Sequence, residues 1–278
     1  MLVGSPIRLL LVMALTATLA AARQQAVPPA SAPTSANSAA AANTQKARAV
    51  LDRALQALGG KAFLEFTDRV QHGRTSRFYR GRPVGVGGDF RRIWKWPGKE
   101  RYEFFKGAEW VVIFNGDEGF DITYHGTRHV DPPDLEEHIR RRDRSLDYVF
   151  RLWLSDPKTL LFHEGTVIVD RNPADKVTLV NPRNQDVSLF FDAQTGLPVR
   201  LSYTYRDPHT REKIEEGEIF ANYKSIQGIQ TPMRVQRTRD GEMTRQYFYD
   251  SVTYNTGVAD SQFAAKVTYE APKTYPPR

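Results

Sequence analysis

The sequence predicts a mostly β, α+β fold: one strongly curved antiparallel sheet, a half-open barrel, with helices covering its concave face. Three observations predict it. Val199, Leu201, Tyr203 and Tyr205 alternate with Arg200, Ser202, Thr204 and Arg206, and a period of two is that of a strand with one apolar and one wet face. Short turn signals join such runs. Asp240-Gly241 links Met233–Thr238 to Arg245–Tyr254, and Asp-Gly is a strong two-residue hairpin signal. Lastly, the order is helix, strands, helix, strands. Two amphipathic helices with one long meander do not make a closed sandwich, so the helices pack into a curved sheet.

The elements follow in order. Met1 to Ala22 reads as a cleaved secretory signal, with Arg8 as the basic start, Leu9 to Leu15 beginning the apolar core, and Ala20-Ala21-Ala22 as the cleavage site. The apolar run is shorter than the ~20 residues a membrane helix needs. Residues 23–43 are Ala, Ser, Pro, Gln and Thr, a disordered spacer with little to bury. Thr44 is placed to cap a helix in which Ala47, Val50, Leu51, Ala54, Leu55 and Leu58 share a face. Gly59-Gly60 stops it.

Asp68 to Arg80 is a polar strand, and Gly85, Gly87 and Gly88 bend the chain after it. Phe90–Trp96, Arg101–Phe105, Trp110–Asn115 and Gly119–Tyr124 are the next strands. Pro132-Pro133 opens a second helix over about Asp134 to Leu154, with Leu135, Ile139, Leu146, Val149, Phe150 and Trp153 as its apolar stripe. Gly165–Asp170 and Lys176–Val180 lead into the final meander. The whole divides into 1–22, a signal; 23–43, a linker; 44–265, the folded domain; and 266–278, a C-terminal tail.

A chain of 278 residues with 40% hydrophobic content suits one large β-rich domain. The net charge of +7 is compatible with anionic lipid headgroups, acidic polysaccharide or nucleic acid and selects none. A secreted chain makes nucleic acid the least suitable partner. With Cys 0, disulfides, thiol nucleophiles and thiolate metal sites are excluded.

Some stretches resemble the periplasmic lipoprotein carrier superfamily, the LolA/LolB-like and outer-membrane lipoprotein-sorting-type proteins. Gly88-Asp89-Phe90-Arg91-Arg92-Ile93-Trp94-Lys95-Trp96-Pro97 is similar to the family's Gly, aromatic-basic run and Pro. Asn115-Gly116-Asp117-Glu118-Gly119-Phe120-Asp121-Ile122 is similar to its turn and aromatic strand, and Asp192, Thr195 to Pro198 and Tyr223 to Pro232 to its C-terminal hairpins. Ala54 to Gly60 resembles the opening helix of secreted relatives. The resemblance spans roughly Ala47 to Phe263, and it is carried by the order of these stretches. It implies an incomplete barrel closed by helices that holds acyl chains non-covalently. It implies lipid or lipoprotein acyl chains as partners, along with inner- or outer-membrane sorting proteins. One position departs: the better-known carriers have Arg before the motif's Pro, where this chain has Trp96, and Arg92 shares its parity.

The expected lipid lining is Phe90, Trp94, Trp96, Tyr102, Phe104, Trp110, Phe114, Phe120, Ile122 and Tyr124 on one side of the sheet. Phe150 and Trp153 face them from the helix, and Leu189, Phe191, Leu201 and Tyr203 continue the lining. The competing reading of these residues is ordinary core. Arg92, Arg140, Arg141 and Arg144 are candidate headgroup or membrane contacts, against a solvated helix face for the last three. His125, His129 and Asp131 lie in turn-like sequence with Gly126 between them, poor for a metal, and no cofactor is expected. Glu215, Glu216 and Glu218 read as a solvated strand face. Ser145 and Ser155 lack a Gly-x-Ser-x-Gly setting. The expected function is therefore a periplasmic, monomeric, non-enzymatic carrier. A sensor or scaffold module on the same fold, and an envelope-polymer hydrolase, are the alternatives.

Overall fold

The computed structural model describes residues 33–105, 110–208 and 210–270. The secretory signal and residues 23–32 of the spacer lie outside them. A long helix, α1 (Pro33–Leu58), and a short one, α2 (Lys61–Glu65), precede β1 (Asp68–Tyr79), β2 (Arg82–Lys95), β3 (Lys99–Phe105), β4 (Trp110–Asn115), β5 (Glu118–Thr123) and β6 (Gly126–His129). Then come α3 (Pro132–Asp143) and α4 (Leu146–Tyr148), which continues as a π-helical turn, Val149–Trp153. The second meander is β7 (Leu160–Val169), β8 (Asn172–Val180), β9 (Asp186–Asp192), β10 (Pro198–Arg206), β11 (Lys213–Ile226), β12 (Ile229–Arg239) and β13 (Glu242–Tyr254).

All form one 13-stranded sheet, ordered β6-β5-β4-β3-β2-β1-β13-β12-β11-β10-β9-β8-β7, antiparallel throughout. The edges, β6 and β7, are consecutive in sequence and at opposite ends of the sheet. The α3 segment joins them, so it must cross the sheet. Its end shows how far the sheet is curled. Arg142 donates to the Gly116 carbonyl, 2.6 Å, on the β4–β5 turn, and Arg144 donates to the Asp186 carbonyl, 3.0 Å, at the start of β9. On a flat sheet, strands that far apart in the order would be separated by ~40 Å at ~4.8 Å per step. Residues two apart in sequence span a small part of that, so the sheet must be curved.

The two faces of the sheet are covered differently. Over β8–β10, Ala47, Leu51 and Ala54 of α1 pack with Val177, Leu179, Val187, Leu189, Phe191 and Leu201, and with Val149, Phe150 and Trp153 of the π turn. On the convex side of β1–β5, Val70, Ile93, Ile113 and Phe120 are covered by Phe263 and Val267 of the chain's end. Asp68 anchors that end. Its carboxylate accepts from the Thr256 amide and hydroxyl, both 2.7 Å, and from the Gly257 amide, 3.0 Å.

Two sequence expectations need correction here. The first helix does not start at Thr44 but runs from Pro33. Its Ala-rich start is a good helix former even with nothing to bury. Asn43 and Thr44 instead serve the open edge of β7. Asn43 exchanges hydrogen bonds with the His163 backbone, 2.8 and 2.9 Å, and Thr44 donates to the Leu161 carbonyl. The second helix is broken rather than continuous to Leu154. Ser145 donates its hydroxyl to the Arg142 carbonyl, 2.8 Å, and accepts from the Tyr148 amide, starting a new helix there.

Candidate functional site

Between β1–β5, β11–β13 and α3 the concave face stays open, and a cavity of about 620 Å³ lies there. This is inside the usual range of small-molecule sites, about 300–1,000 Å³. One wall is aromatic. Tyr102 and Phe104 project from β3, and Trp110, Val112 and Phe114 from β4. Phe104 stacks on Trp110 at 4.7 Å between centroids, and the Trp110 indole donates to Asp121. Across the cavity, His138 of α3 lies flat on Phe114, 3.6 Å between centroids with the planes 3° apart.

The remaining wall is polar, because charged residues take inward positions of the central strands. Arg69 and Gln71 on β1 face inward, as do Arg92 on β2 and Glu100 on β3. So do Glu216 and Glu218 on β11 and Arg237 on β12. They are paired. Arg92 donates to Glu100 at 3.0 Å, Arg69 to Asp147 at 3.3 Å, and Arg237 to Glu218 at 3.2 Å. Glu216, 1% exposed, accepts from the Tyr203 hydroxyl at 2.6 Å and faces Arg141 at 3.4 Å. Burial pushes the Glu100 carboxyl up, but Arg92 and then His138 outweigh it and bring it down to about 2. Burial pulls the His138 imidazole down to about 4, against the upward pull of Glu100. Glu100 is therefore a carboxylate and His138 a neutral ring at neutral pH. Charges so paired suit recognition of a polar group beside an apolar wall.

The structure separates the expected lining residues into three sets. Tyr102, Phe104, Trp110 and Phe114 do line the cavity. Phe90, Trp94, Phe150, Trp153, Leu189, Phe191, Leu201 and Tyr203 face the concave side but belong to the closed core, with Trp96 packed against it. Phe120 and Ile122 do not share the face. Phe120 stands opposite Ile113 and Ile122 opposite Val111, in the convex cluster, and Tyr124 is 81% exposed beyond the end of β5. The reason is the β4–β5 turn. Asn115 pairs with Glu118 across two residues, so even positions of β4 meet odd positions of β5 and Asp121 takes the inward place.

The arginines divide similarly. Arg92 and Arg141 reach the cavity, whereas Arg140 covers the Tyr205 ring at 4.0 Å and Arg144 the Tyr203 ring at 4.7 Å. The helix face carrying them is not solvated, since Arg141 and Arg142 side chains are 9% and 10% exposed. Glu216 is likewise buried rather than on a wet face. Sequence reading missed Arg69, Gln71, His138, Arg237, Tyr247 and Tyr249. The signal available for them was strand parity: Val235 and Arg237 alternate in step, as do Tyr247 and Tyr249.

An incomplete antiparallel barrel with helices in its concave face defines a class: this is a LolA-like fold. Three solved structures share it. A DUF1329 family protein from Desulfovibrio piger superimposes with a TM-score of 0.55 at 14% identity, over 78% of this chain and 97% of that one. A putative outer membrane lipoprotein-sorting protein domain from Vibrio parahaemolyticus gives 0.51 at 12% identity, over 78% and 97%. A LolA superfamily protein from Nitrosomonas europaea gives 0.50 at 11% identity, also over 78% and 97%. No protein-family model matches the sequence, and no curated protein matches it. Among the described residues no helix is long and apolar enough to cross a membrane.

Proposed function

We propose that this protein is a periplasmic carrier that holds the acyl chain of a lipid or lipidated partner non-covalently in the concave cavity. The observation that carries the reading is the aromatic wall of Phe104, Trp110, Val112 and Phe114 left facing an open space of about 620 Å³. A carrier needs such a gap, and a purely structural core would have filled it, since protein interiors pack to crystal-like density. An acyl chain gains about 0.8 kcal/mol for each CH₂ it buries there. The likeness to a lipoprotein-sorting domain and the secretory-type start of the sequence support the same reading. In this reading the protein works as a monomer and meets membrane sorting proteins to load or unload.

The test is lipid content and exchange. Protein prepared from its own periplasm should release a bound lipid in native mass spectrometry. The delipidated protein should bind a fluorescent fatty acid. Trp110, 37% exposed at the cavity wall, is the variant of choice, because Trp110→Glu places a charge in the chain's path without entering the core. It should lose probe binding and keep the circular dichroism of the native protein. Wild type that carries no lipid and never binds the probe defeats the proposal.

A further inference from the structure

Resting on the carrier reading, we infer that the cargo is a single amphiphile with an anionic carboxylate or phosphate head, held by a row of arginines across the sheet. The strand register makes this row. Arg77 on β1 is directly opposite Arg245 on β13, and Arg245 is directly opposite Arg237 on β12. All three line the cavity that contains the aromatic wall. Like charges directly opposite one another weaken a sheet, so three in one row are costly unless an anion comes between them.

The protein supplies only part of that anion. Glu218, the next residue in the row, pairs with Arg237 at 3.2 Å. Arg245 has a 3.4 Å hydrogen bond to the Tyr247 hydroxyl, and among the described residues neither Arg245 nor Arg77 has a carboxylate within ion-pair distance. Two guanidinium groups stand over the Tyr247 ring, Arg237 at 5.2 Å from its centroid and Arg245 at 6.0 Å. Burial would raise the phenol, yet Arg237 and Arg245 outweigh burial and lower it from its ordinary value. Two guanidinium groups thus meet on one phenol at this end of the cavity. Deeper in, the Nε of Arg92 is buried without a partner among the described residues and offers a further donor. An arginine fork suits the planar oxygens of carboxylate and phosphate.

The aromatic wall and the arginine row line one cavity, so a single elongated molecule reaches both. Phe104 is opposite Phe90, Phe90 opposite Gly73, and Gly73 opposite Tyr249, which is on the strand of Arg245. A head on the arginine row therefore leaves its chain against Phe104 and Trp110. A volume of about 620 Å³ fits one small amphiphile rather than a bulky multi-chain anchor.

Displacement of a fluorescent fatty-acid probe tests this with three competitors: dodecyl phosphate, the neutral hexaethylene glycol dodecyl ether, and inorganic phosphate. Charge-assisted bonds to arginine predict that dodecyl phosphate competes at least about tenfold better than the ether. Added salt should shrink that preference, since Arg77 and Arg245 are solvent-accessible. In the double variant Arg77→Gln, Arg245→Gln the two affinities should converge. If both dodecyl compounds bind the wild type equally, the carrier reading stands and the anionic head is overturned. If inorganic phosphate competes as well as dodecyl phosphate, the row is a simple anion site and the amphiphile is overturned. If no dodecyl compound binds at all, the carrier reading itself falls and takes the inference with it. The wild-type comparison decides the matter even if the double variant does not fold.

Discussion

His138 should give the fold a specific sensitivity to acid. Its ring is stacked flat on Phe114, its Nε2 is buried without a partner among the described residues, and burial lowers its pKa from 6.5 to about 4. The sign follows from proton counting. Between about 6.5 and about 4 the unfolded chain binds a proton at this ring and the folded chain does not. Stability is therefore fully present above about 6.5 and is lost as pH falls toward about 4. The loss amounts to about 3 kcal/mol, a large part of the roughly 5–15 kcal/mol that holds a typical domain together. Urea unfolding from pH ~7 to pH ~4 measures it for wild type and His138→Phe. The Phe variant keeps a flat ring on Phe114 and cannot titrate. Its stability should fall less over that interval, and the difference between the two curves isolates His138 from the carboxylates. Parallel curves would refute the reasoning. Glu100, brought down to about 2, should add its own loss only at lower pH, since its contribution is present above about 4.5 and goes as pH passes through about 2.

Glu216→Gln should destabilise the protein by about 1–3 kcal/mol, read by urea unfolding, because buried Arg141 keeps Glu137 but loses Glu216, and the Tyr203 hydroxyl loses a charged acceptor. Phe150→Glu should unfold the protein outright in circular dichroism, where Trp110→Glu does not, since Phe150 is 5% exposed inside the closed core. Gly73→Ala should cost about 1–3 kcal/mol, because its Cβ would stand 2.0 Å from the Phe248 carbonyl oxygen at the β1–β13 bulge.

The strands were legible because their signals are local. Alternation in Val199–Tyr205, the Asp240-Gly241 turn and the two-residue turn after Asn115 each lie within a few residues, and together they give a meander without any long-range information. Even the misplaced face of Phe120 and Ile122 was readable, since an even loop swaps parity from one strand to the next. What local pattern does not carry is the identity of the covering layer. Parity puts Phe90 and Phe104 on the same face, but only the tertiary packing, which sets Phe90 against Tyr247 and Tyr249 in the main core, makes one of them core and leaves the other at a cavity. Charge was the least legible feature. Arg140, Arg141, Arg144 and Glu216 read as wet because each alone costs too much to bury. In the fold, residues from α3 and β11, far apart in sequence, meet and neutralise one another. The arginine row is decided in the same way. Arg77, Arg237 and Arg245 are unremarkable in sequence, and only the register of three strands, fixed by the bulge at Gly73, the turn at Asp240 and the bulge between Arg237 and Thr238, sets them side by side.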